Sequence, residues 1–89
     1  MKYLFVIEKG PRNLSGYFPD VPGCITTGKT VEKVLAHAVE VLELHFEGES
    51  KLPIPRTLAW YLDKGGLKLA ATDLVAWVQY EPVAKLSAA

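Results

Sequence analysis

Cysteine is all but missing. The chain of 89 residues holds one, Cys24. It can form no internal disulfide and no thiolate metal cluster, which suits a reducing cytoplasm. Long hydrophobic runs are missing too. The opening stretch Met1-Lys2-Tyr3-Leu4-Phe5-Val6-Ile7 has an apolar run of five residues before Glu8. A signal peptide needs a longer apolar region and a small-residue cleavage site, and a spanning helix needs ~20 apolar residues. A soluble, cytoplasmic protein with no membrane partner is expected. Charge of one sign is also lacking. Ten Lys and Arg balance ten Asp and Glu, whereas a nucleic-acid binder usually shows a basic patch or total.

Histidine is scarce, and its spacing matters. His37 and His45 are eight apart, so the i, i+4 pair that puts two histidines on one metal is absent. His45 lies at the edge of an apolar stripe near the end of a helix and reads as packed. Cys24 has no His-Asp arrangement near it in sequence, so it reads as a small core residue and not as a nucleophile. Only Glu8 and Glu81 lie near strand ends. A metal-dependent nuclease, which needs clustered acids, is disfavoured. No catalytic residue, metal or cofactor is expected, and the chain reads as a non-enzyme.

What is present is globular composition: 49% of the residues are hydrophobic and 22% charged. A chain this short buries only roughly 60–65% of its unfolded surface, so self-association would help it. Tyr3 to Ile7 is aromatic and branched throughout and predicts a strand buried on both faces. Leu14 to Phe18 alternates and predicts a second strand, antiparallel to the first across a short turn. Pro19-Asp20-Val21-Pro22-Gly23 makes a stiff turn. Cys24 to Thr27 predicts a third strand, closed by Gly28.

Thr30 is a good N-cap, with Glu32 near the positive end of the helix dipole. Val31, Val34, Leu35, Ala38, Val41 and Leu42 follow with amphipathic helix spacing. The helix runs to about Glu47, with Gly48 as its stop. Thr57 caps a short helix to Asp63, ended at Gly65-Gly66. Leu74 to Tyr80 predicts the last strand. The order is β-β-β-α-insert-β. This is an α+β architecture, a small and mainly antiparallel sheet with one long helix packed on a face. One domain is expected over residues 1–82, with a tail over 83–89.

The run Gly16-Tyr17-Phe18-Pro19-Asp20-Val21-Pro22-Gly23-Cys24-Ile25-Thr26-Thr27-Gly28 resembles the signature of the HicB antitoxin family. Thr30, Glu32, Leu35, Ala38, Glu40 and Leu42 fit that family's helix pattern. Leu52-Pro53-Ile54-Pro55 is similar to its next landmark. The resemblance covers roughly residues 2–55 well, is poor over Thr57–Thr72 and resumes loosely at the last strand. It implies a partial ribonuclease-H-like fold, dimers or tetramers, and a role in silencing a HicA-like toxin that degrades messenger RNA. Many members of the family carry a DNA-binding module after the last strand. Only Pro82 to Ala89 follows it here, so no direct DNA binding is expected of this chain.

At ~100° per residue, Glu32, Glu40, Glu43 and Glu47 project within about 80° of one another, opposite the apolar stripe. Their field would steer a basic partner; more simply, they form a solvated face. Tyr17 and Asp20 are the turn residues that could join such a partner surface, although an Asp in a turn often caps its own backbone. Trp77, Val78, Gln79 and Tyr80 form an aromatic-rich strand that could pair with a second copy into a homodimer or homotetramer. Two functions follow. One is an antitoxin-type binding protein that occludes a HicA-like toxin. The alternative is an orphan HicB-like scaffold with another partner or ligand, which the unmatched insert would favour.

Overall fold

The computed structural model describes residues 1–81. Pro82 and the tail expected over 83–89 lie outside the described residues. The elements are β1 (Lys2–Lys9), β2 (Leu14–Tyr17), β3 (Ile25–Gly28), α1 (Val31–Phe46), α2 (Leu58–Asp63) and β4 (Leu74–Gln79). The four strands form one sheet in the order β3-β2-β1-β4, and every pairing is antiparallel.

β1 is the centre of this arrangement. Tyr3, Leu4, Phe5 and Val6 are fully buried, and Ile7 nearly so. Side chains alternate across a strand, and the registers sort them. Tyr3, Phe5 and Ile7 lie with Val78, Ala76 and Leu74 on the face that meets α1. Leu4 and Val6 lie on the outer face, flanked across the strands by Trp77, Val75 and Tyr17. The expectation of a strand buried on both faces holds. Each large side chain so buried is worth roughly 1.5–3 kcal/mol.

α1 begins as its cap dictates. The Lys33 N–H donates to Thr30 Oγ1 at 3.1 Å, and Glu32 sits in the first turn. Val34, Ala38, Leu42 and Phe46 are buried, an i, i+4 row down the sheet-facing side. Leu35 and Val41 are only half-buried, and Val31 is exposed because it stands at the first position of the helix. Phe46 closes the far end of the core. Its ring lies 5.4 Å from that of Tyr3 and 4.9 Å from that of Tyr80.

His45 departs from the expectation of a packed histidine. Its angle on the helix is right, but it is exposed. His45 rims a pocket with Val21, Pro22 and Pro53, beside Phe46, which takes the buried position at this end of the helix. His37 is exposed as well, with Nδ1 2.7 Å from the Thr27 carbonyl oxygen.

The centre of the sheet depends on one glycine. A Cβ at Gly16 would lie 2.1 Å from Phe5 Cζ, so β2 must leave that space to the Phe5 ring. The ring in turn packs 4.7 Å from that of Phe18. Overpacking of this kind costs ~1–3 kcal/mol. A Gly16→Ala variant should therefore unfold at clearly lower urea concentration with an unchanged slope. A midpoint equal to that of the parent protein would show that the ring moves aside freely.

Candidate functional site

The signature turn is built before it is functional. The Val21 N–H donates to the Phe18 carbonyl at 3.0 Å, Cys24 N–H to Val21 at 3.0 Å, and Phe18 N–H to Cys24 at 3.2 Å. Gly23 takes φ +85°, a conformation that costs other residues a steric penalty. Phe18, Val21 and Cys24 point into the core. Burial pushes the Cys24 thiol above its ordinary pKa, so it is a poor nucleophile at neutral pH. Among the described residues, no group of three or more His, Cys, Asp or Glu side chains is placed to hold a metal ion.

Asp20 neither caps its own turn nor points away from the chain. The Tyr61 hydroxyl donates to Asp20 Oδ1 at 2.5 Å, and the Arg56 N–H donates to Oδ2 at 3.3 Å. The carboxylate thus ties α2 and its approach segment to the turn. The Arg56 side chain goes elsewhere: its guanidinium lies 4.1 Å above the Trp60 ring, a cation–π contact. Sequence reasoning missed both partners of Asp20. They lie 36 and 41 residues away, and no local pattern marks them.

The residues offered as a partner surface do not converge on one face. Tyr17 pairs with Val6 and so stands on the outer face of the sheet, half-buried. Glu32, Glu40, Glu43 and Glu47 are all exposed on α1, which covers the opposite face. The sheet separates the two groups. The four acids share one side of α1, as their spacing predicts. β4 is an edge strand, but its side chains divide. Val78 is in the core and Tyr80 is half-buried against Phe46. Trp77 is 47% exposed on the outer face, and Gln79 also points that way.

No helix among the described residues is long and apolar enough to cross a membrane. No family model matches the chain. Over 68 residues it is 31% identical to an uncharacterized 14.9 kDa protein of the rep-hol intergenic region of Haemophilus phage HP1 (strain HP1c1). That match takes in 72% of this chain and 51% of the phage protein; the chain spans about half the length of this curated relative. Among solved structures, antitoxin HicB3 is similar over all of this chain and 68% of its own, with 30% identity and a TM-score of 0.76. A chain of the HicA3 and HicB3 toxin-antitoxin complex is similar over its whole length and 92% of this chain, with 30% identity and a TM-score of 0.71. The N-terminal domain of Burkholderia pseudomallei antitoxin HicB shares the fold, with a TM-score of 0.75 at 20% identity.

The sheet, its covering helix and the signature turn define a small α+β domain. The chain belongs to the HicB antitoxin family. The likeness to HicB3 also takes in residues 57–72, which the sequence left unmatched.

The tyrosines give this geometry a titration signature. The Tyr61 phenol is pushed up to about 12, first by burial, then by its hydrogen bond to Asp20 and the charge of that carboxylate, with Arg56 working against the rise. Burial also raises Tyr3 and Tyr17, the former with help from Asp20 and Tyr80, the latter from Glu8 and Asp73. A folded pKa above the unfolded one means stability that is complete below about 10 and lost as pH rises toward 12. The urea midpoint should fall across that window. In Asp20→Ala the highest-titrating phenol should move down toward its ordinary value, because the Asp20 hydrogen bond and charge are gone. Phenolate absorbance during alkaline titration reads both.

Proposed function

We propose that this chain binds a HicA-like toxin and silences it by occlusion, with no chemistry of its own. The observation that carries this reading is the match to a chain of the HicA3 and HicB3 complex along that chain's entire length. The exposed acids of α1 support it physically. Glu32, Glu40, Glu43 and Glu47 would steer a basic ribonuclease by their field and orient it on docking. Tyr17 and Asp20 act less directly. Tyr17 lies across the sheet from α1, and Asp20 spends its oxygens on Tyr61 and Arg56. We place the protein in the cytoplasm, in keeping with its free, buried Cys24.

Co-expression with a neighbouring gene for a small basic protein tests the reading. Growth should be rescued and the two proteins should co-purify. Reversal of charge in Glu40→Lys/Glu43→Lys should slow association by about tenfold or more at low salt, and the loss should shrink as salt rises. The absence of both a complex and rescue would refute the proposal.

Self-association through β4 belongs to the same reading. Among the described residues, Leu74–Gln79 is an edge strand with no charge, proline or glycine, the kind of edge that pairs unless something covers it. Leu74 and Trp77 are about half exposed there, at 48% and 47%. Sedimentation should show a dimer or tetramer, and Trp77→Glu should shift it toward monomer. Sedimentation as a monomer at high concentration would dismiss this interface.

A further inference from the structure

α2 has an unusual position for a helix in so small a domain: it buries none of its residues. Hydrophobic packing is what holds most short helices in place, and here Leu58, Trp60 and Tyr61 are only partly buried. The segment is nevertheless well ordered within itself. The Trp60 N–H donates to the Thr57 Oγ1 cap at 3.0 Å. Lys64 and Gly65 N–H groups both donate to the Trp60 carbonyl, at 2.7 and 3.1 Å, and Leu67 N–H to Tyr61 at 3.0 Å. The Trp60 and Tyr61 rings pack edge to face 5.0 Å apart, and Arg56 stacks on Trp60. Residues 56–67 therefore form a closed local unit.

Its ends favour movement as one piece. Pro53 and Pro55 stiffen the chain on one side. On the other, Gly66 closes the unit at φ +75°, with open space around its Cβ position. Among the described residues, the side-chain hydrogen bonds that join this unit to the body both end on one carboxylate, Asp20. Tyr61 remains a donor through the neutral range, since its phenol ionises only at about 12.

We infer that residues 56–67 are a strap latched to the signature turn by Asp20, and that the strap opens as a unit when the latch is broken. Asp20 is then a positioning residue: it sets where the strap lies, and a partner reaches its oxygens only by displacing Tyr61 and the Arg56 N–H. This holds whether or not the partner is a toxin.

Amide hydrogen exchange on the full chain tests it, comparing the parent with Asp20→Ala, Asp20→Asn and Tyr61→Phe. Local opening is read directly by exchange. Tyr61→Phe keeps the ring and removes one bond, so it folds even if Asp20→Ala does not. The expected result is exchange about tenfold or more faster over 58–67 in Tyr61→Phe and Asp20→Ala, with β1 and α1 unchanged. Asp20→Asn, which keeps one carbonyl acceptor, should lie between them and the parent. Exchange over 58–67 that is unaltered in Tyr61→Phe overturns the latch. Equal acceleration in β1 and α1 overturns the strap as a separate unit.

Discussion

Everything in this domain is registered on β1. The strand gives both of its faces to packing, so β2 and β4 must lie beside it and α1 must lie across it. Its neighbours are fixed by that demand. Phe5 requires a glycine at 16 on the neighbouring strand, and its tilted packing on Phe18 then sets where the signature turn begins. Tyr3 reaches the other end of the core, packs on Phe46, and donates its hydroxyl to the Pro53 carbonyl at 2.6 Å. That bond draws the Leu-Pro-Ile-Pro segment onto the sheet. One strand thus organises a helix, a turn and a loop far from it in sequence.

The two sides of the sheet have different duties. The α1 side is closed by a continuous aliphatic and aromatic core. The outer side is apolar but incompletely covered: Ile25 is 65% exposed there and Trp77 47%. In a domain with little interior, such a face is a natural place to gain burial from a second copy. The acidic ridge of α1 points away from it. On the proposed function, a second copy and a basic partner would use opposite faces of the sheet.

The signature turn joins fold and function. Its glycine and prolines shape the backbone, and Val21 and Cys24 anchor it in the core. Only Asp20 has its side chain free of those duties, and it holds the α2 segment in place. A residue that looks like a surface group in sequence is therefore an internal fastening for a helix with no fully buried side chain.

The elements were legible in the sequence because their signals are local. The Thr30 and Thr57 caps, the i, i+4 apolar row of α1, the buried run of β1 and the glycine in the signature turn each depend on residues within a few positions. The shared side of the four helix acids follows from the same periodicity. What the tertiary structure alone decided depends on distance along the chain. The strand order puts β1 between β2 and β4, and so makes β4 an edge. Phe46, not His45, takes the buried place at the end of α1, which leaves His45 exposed although its helical angle matches the core. The alternation of the strands sends Val78 inward and Trp77 outward, and puts Tyr17 across the sheet from the acids. The Asp20 carboxylate finds Tyr61 across 41 residues. A chain's local preferences name its pieces, but which groups meet is settled when one core must bury all of them at once.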